Sequence, residues 1–210
     1  MTNTQKAQRI FDTVEELLRS AEYGLDDMLR SSSPRALHGL KTLIVFGRAV
    51  TNVLDNLKSI WPGYHRWSQK FKGEMEADPL MKYFYKLRSV ILKKASHQIG
   101  VIFEVKEVDL PGDLLGIGSP PSNALGAFIG GSGLGWVLKN PDGSLERHYV
   151  DLPPERVSMS LVLPDPPSCH LGENISDTSA ANLARKYLDY LKSMVESAKN
   201  QFNRESQMVQ

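Results

Sequence analysis

Apolar or small residues fall at Leu40, Ile44, Gly47, Val50, Leu54, Leu57 and Trp61. These steps of three and four place one stripe along one face of a helix. The stripe predicts a helix over Ala36–Trp61, stopped by the breaker pair Pro62-Gly63. Gly47 lies within it. Glycine costs a helix interior about 1 kcal/mol against alanine, so a neighbouring helix is expected to approach closely there. A second helix is predicted over Pro79–His97, with Leu80, Phe84, Leu87, Ile91 and Ala95 on one face. Asp78 precedes it as N-cap, and Pro79 takes the first helical position, where its missing N–H costs nothing. The two read as an antiparallel pair. Between them, Tyr64, Trp67 and Phe71 are spaced for a short helix or an ordered connection.

The pattern elsewhere divides the chain in three. Residues 5–29 carry Ala7, Ile10, Val14, Leu17 and Ala21 as a stripe, with Gly24 expected to bend or end the helix. Ser31 to Pro34 reads as a loop. Beyond His97, Val101–Val108 reads as a strand and Asp109–Asn123 as a long Pro/Gly loop. The turn Asn140-Pro141-Asp142-Gly143 joins Trp136–Lys139 to a returning strand over Leu145–Leu152. Val157–Leu163 alternates as a further strand. The last helix starts near Asp177-Thr178-Ser179 and presents Leu183, Tyr187, Leu191, Met194, Ala198 and Phe202. The predicted fold class is mainly α with a β insertion: three helices of a four-helix bundle over 1–98, a β-rich insertion over 99–165, and a C-terminal helix over 177–204 returning to the bundle. All 210 residues make a single domain in this reading.

Composition narrows the function classes. Net charge is +1, so no global field favours nucleic acid, and any such role needs a local patch. A single cysteine, Cys169, excludes an intrachain disulfide and fits a reducing cytoplasm. No apolar run is long enough to span a membrane, and Met1–Arg9 is too polar for a signal peptide.

Polar residues on the central pair carry the candidate chemistry. Arg48, Asn52 and Asp55 neighbour one another on one helix face, and Arg88 falls between Phe84, Ile91 and Leu92. A guanidinium among apolar residues requires a partner, and Asp55 and Asn52 are the expected ones. The segment Asp78–Lys94, following the helix with Arg48 and Asn52, resembles the HEPN superfamily of helical bundles. Its active members carry an arginine, a polar residue and then a histidine about a turn further on, and cut RNA across a dimer. Arg88-Ser89 matches the first half of that motif. His97 lies beyond the histidine's place, which Lys93 or Lys94 occupies, so the resemblance implies binding without catalysis. The remainder resembles a bacterial family, without an assigned activity, in which such a bundle is joined to a β segment.

Other features carry less. Gly126–Gly135 leads into a strand rather than the Gly-Lys-Ser/Thr and helix of a phosphate loop, and reads as a turn or bulge. His38, His65, His97, His148 and His170 have no metal-ligand spacing, and no cofactor is implied. Lys70, Lys72, Lys82, Lys86, Lys93 and Lys94 form either a phosphate-binding surface or, given Glu74, Glu76 and Asp78 among them, an ordinary solvated face. Tyr64, Trp67, Phe71, Tyr83 and Tyr85 suit base stacking or, more commonly, a core or subunit interface.

The expectation is a cytoplasmic, non-catalytic HEPN-like bundle that binds a nucleotide, RNA or protein partner through Arg48, Asn52, Asp55 and Arg88, with a homodimer as one arrangement it allows. The alternative is a metal-independent endoribonuclease, a toxin or defence effector, with Arg88, Arg48 and His97 as catalytic candidates. The second alternative is a structural subunit that grips a partner with the β insertion.

Overall fold

The computed structural model describes residues 1–30, 35–93, 100–105, 119–130, 133–150 and 157–207. It is mainly helical. Five α-helices, α1 (Asn3–Arg30), α2 (Arg35–Leu54), α3 (Tyr64–Ala77), α4 (Pro79–Lys93) and α5 (Ala180–Gln207), accompany short antiparallel strands. His97, the loop residues 109–118 and the segment 151–156 lie outside the described residues.

Thr2 and Gln5 open α1 with a reciprocal capping box: Gln5 N–H donates to Thr2 Oγ1 at 3.2 Å, and Thr2 N–H to Gln5 Oε1 at 3.0 Å. The helix then buries Ala7, Phe11, Val14, Leu18, Ala21 and Met28. Gly24 does not end it, since the helix runs on to Arg30. Instead it lets α2 come into backbone contact. A Cβ at Gly24 would lie 2.6 Å from Gly39 O, and one at Gly39 would lie 2.5 Å from Gly24 O. The principal partner of α2 is therefore α1, not α4 as the sequence pattern suggests. Gly47 does serve close packing, but against α5: a Cβ there would stand 2.7 Å from Tyr187 Cε1.

The long helix predicted to run to Trp61 stops at Leu54 and tightens into a 3-10 turn, Asp55–Ser59. Ser59 Oγ donates to Asn56 O at 3.0 Å, and Trp61 N–H to Leu57 O at 2.9 Å, closing the end before Pro62. The aromatic connection is a full helix, α3, running beside α5. Trp67 Nε1 donates to Ser197 Oγ at 3.1 Å, and Phe71 meets Tyr190 edge-on with centroids 6.4 Å apart. Trp61 donates to Glu205 Oε2 at 2.6 Å and packs on Phe202. Every residue of the stripe predicted for α5 is buried, and Ser179 Oγ accepts from Asn182 N–H at 3.3 Å as its N-cap.

Among the described residues, the strands form three antiparallel groups. β1 (Gly100–Val105) pairs with β5 (Val157–Val162), in the register Gly100↔Val162. β2 (Ala124–Gly130), β3 (Gly133–Lys139) and β4 (Leu145–Tyr149) make a meander, and β6 (Cys169–His170) pairs with β7 (Glu173–Asn174). Of the glycine-rich stretch, 126–130 and 133–135 are paired strand, with a register shift between Ala124 and Gly126, and 131–132 lie outside the described residues. Gly135 sits opposite both Phe128 and Tyr149, whose rings meet across it at 5.2 Å. Leu161 and Leu163 join the helical core.

The β6–β7 turn is tied to the helices by one carboxylate. Asp78, 5% exposed, caps α4 by accepting from Met81 N–H at 2.8 Å, as the sequence predicts. Its other oxygen accepts from Leu171 N–H at 2.6 Å, and His170 Nδ1 lies 3.1 Å from Oδ1. Leu171 has φ +50°, a left-handed conformation that a leucine rarely adopts, and the Asp78 bond holds it there.

Candidate functional site

Five elements converge on one cleft of about 640 Å³, within the size range of small-molecule sites. The end of α2 supplies Arg48, Thr51 and Asn52, and the 3-10 turn supplies Asp55. Helix α3 supplies Trp67, Phe71, Lys72, Met75 and Glu76, α4 supplies Met81, Lys82, Phe84, Tyr85 and Lys86, and α5 supplies Tyr187, Leu191 and Met194. The cleft exists because α3 and α4 both lean on α5 with large aromatic residues, which leaves space between their polar edges. Its floor is Phe84 stacked on Tyr187, centroids 4.4 Å apart, beside buried Leu191 and Met194. Its rim carries four cations, Arg48, Lys72, Lys82 and Lys86, against two carboxylates, Asp55 and Glu76.

Arg48 is half-buried. Its Nη1 donates to Thr51 Oγ1 at 2.8 Å, and its guanidinium lies 5.3 Å from the centre of the Tyr85 ring. No carboxylate among the described residues pairs with it. Tyr85 is 56% exposed, an aromatic face open to solvent beside a cation. Asp55 Oδ1 accepts from Tyr64 O–H at 2.6 Å and lies 3.3 Å from Lys72 Nζ. Burial, then the bond and charge of Asp55, push the Tyr64 hydroxyl far above its ordinary range, so it stays a donor.

The structure brings Arg48, Asn52 and Asp55 together on one wall, as their spacing predicts. Arg88 does not join them. It is half-buried, as its place in the apolar stripe implies, but it lies outside the cleft lining, and Asp55 is engaged by Tyr64 and Lys72 instead. The Nε of Arg88 is buried with no hydrogen-bond partner among the described residues. The expected Asp55–Arg88 pairing fails because α3, standing between the 3-10 turn and the start of α4, offers nearer partners. Of the lysines, Lys72, Lys82 and Lys86 face the cleft, while Lys70 covers Phe71 at 5.6 Å.

Sequence reasoning missed Tyr187 as a cleft residue, since it lies within an apolar stripe and reads as core. It also missed His170, whose ring is held by Asp78 and set edge-on to Tyr190 at 6.0 Å. That engagement turns the His170 ring to Asp78 rather than to the half-buried Cys169 beside it in the chain. Among the described residues, no group of three or more His, Cys, Asp or Glu side chains gathers as a metal site. No described helix is long and apolar enough to cross a membrane. No protein-family model matches the chain, and no significant match is found among curated proteins or solved structures.

Proposed function

We propose that this chain is a non-catalytic binding bundle of HEPN-like type, with α1, α2, α4 and α5 as its four-helix body, and that the cleft takes a nucleotide. The observation that carries the reading is an aromatic floor and wall under a rim with an excess of cations. A base has a π-face for Tyr85 or Phe71, and a phosphate has acceptors for guanidinium and ammonium groups. Binding without catalysis fits the absence of Arg88 from the cleft lining.

Calorimetric titration with AMP tests it. Wild-type protein is expected to bind with an affinity that falls as salt rises. The combined variant Lys72→Gln, Lys82→Gln, Lys86→Gln is expected to bind about tenfold more weakly at low salt, with a flatter salt dependence. Met75→Trp, which fills the cleft from α3, is expected to abolish binding. Indifference of the wild type to millimolar AMP would overturn the nucleotide reading. Cleavage of RNA in EDTA, lost in Arg88→Ala, would replace the non-catalytic reading with the ribonuclease one.

A further inference from the structure

The sheet β2–β3–β4 gives no residue to the helical core. At positions 124–128, 135–139 and 145–149, Gly135 alone is buried. Opposed residues of an antiparallel ladder share a face, and successive residues alternate between faces. The row Phe128–Gly135–Tyr149 therefore lies on one face. Arg147 stands in the next row of that face, opposite Val137, and Lys139 in the row beyond. Arg147 is held over the Phe128 ring, 5.2 Å from its centre, and Phe128 meets Tyr149 edge-to-face at 5.2 Å. Both cations are exposed. Gly126 shares the Arg147 row and leaves the sheet bare there: a Cβ would meet nothing within 4 Å. Glu146, the one carboxylate of the three strands, falls on the opposite face with Trp136 and His148. The charges are thus sorted by face, and the one with the Phe128–Tyr149 pair is purely cationic.

We infer that this face of the sheet binds single-stranded nucleic acid. Rings and cations side by side match a strand that alternates flat bases with phosphates. One base stacks on the Arg147 guanidinium above Phe128, and its neighbour lies against Tyr149. Backbone phosphates accept from Lys139 and Arg147. With a net charge of only +1, such binding requires a local patch of this kind. A second copy of the chain is the wrong occupant, since two such faces would set cation against cation with no carboxylate between them. An acidic peptide supplies the charge but leaves the rings without a role. The face shares no residue with the cleft, so it stands independently of the nucleotide reading.

The experiment is fluorescence anisotropy of the full chain with labelled oligouridine of about twelve nucleotides, as RNA and as DNA. The wild type is expected to bind, more weakly as salt rises. Arg147→Gln and Tyr149→Leu are each expected to weaken binding about tenfold. Arg147→Gln keeps both rings, so its thermal melt is expected to match the wild type, and it carries the test should the Tyr149 variant loosen the sheet. His148→Gln, on the opposite face, and Met75→Trp, in the cleft, are expected to change nothing. Equal affinity for RNA and DNA, or a preference for RNA through its 2′-hydroxyls, supports the site. Failure of the wild type to bind overturns it, as does affinity unchanged in Arg147→Gln. Loss in Met75→Trp alone assigns the binding to the cleft and overturns the sheet site. Polyglutamate bound as tightly as the oligonucleotide, and weakened equally by Arg147→Gln, overturns the nucleic-acid assignment in favour of an acidic peptide.

Discussion

Asp78→Ala is expected to destabilise the fold by about 3 kcal/mol. The α4 cap is worth about 1 kcal/mol, and the rest comes from N–H groups left without a charged acceptor. The groups stranded are Met81 N–H, Leu171 N–H and the His170 ring, and Leu171 would lose the bond that holds its left-handed backbone. Asp78→Asn keeps an acceptor and is expected to cost about half as much. The wild type should also be selectively acid-sensitive. Burial acts to raise the Asp78 carboxyl, but the N–H groups of Leu171 and Met81 and the His170 ring together outweigh it and hold the group below its ordinary range. The folded chain therefore binds that proton more weakly than the unfolded chain. The stabilisation is complete above the ordinary carboxyl pKa of about 3.9 and is lost as pH falls through that value and then through the lower folded one. Urea midpoints at pH 7 and pH 3 check this. The gap between wild type and Asp78→Asn should shrink at pH 3, and a gap of constant size would remove Asp78 from the account.

The second large effect is at the α1–α2 crossing. Gly39→Ala is expected to cost about 2 kcal/mol. Overpacking at a contact that cannot relax costs about 3 kcal/mol, offset by about 1 kcal/mol from alanine's better helix propensity. The new methyl would meet Gly24 O at 2.5 Å and Met28 N at 2.6 Å, both backbone atoms of the facing helix. Gly73→Ala supplies the contrast. It lies in α3 with nothing within 4 Å of its Cβ position, and is expected to stabilise by about 0.5–1 kcal/mol. Chemical denaturation of the two variants should move the midpoint in opposite directions. A Gly39→Ala protein as stable as the wild type would show that the helices do not touch there.

What was legible in the sequence was whatever repeats or caps locally. The α5 stripe, the Ser179 cap, the Asp78-Pro79 start of α4 and the Asn140–Gly143 turn all have signals within a few residues. Gly24 and Gly39 do not, because each looks like a helix breaker until the other is placed against it. The break at Pro62-Gly63 was legible, but whether Tyr64–Phe71 continues as helix or linker was not, because its aromatic spacing suits both. Of the site, the Arg48–Asn52–Asp55 wall was legible from helical spacing. The partners of Asp55 were not, because Tyr64 and Lys72 belong to a helix whose placement depends on Trp67 meeting Ser197, 130 positions away. Tyr187 was hidden for a related reason: an apolar stripe says that a residue is buried, not that its ring also forms part of a cleft wall.

The bond from Asp78 to Leu171 spans 93 positions, and the whole β excursion hangs between its two ends. That bond turns the intervening stretch into a closed ring whose circumference matters little thermodynamically, since doubling a flexible loop costs only about 0.6 kcal/mol. Extra residues grafted between β1 and β5 should accordingly be absorbed without loosening the helices, making this the region where the protein can accept new sequence.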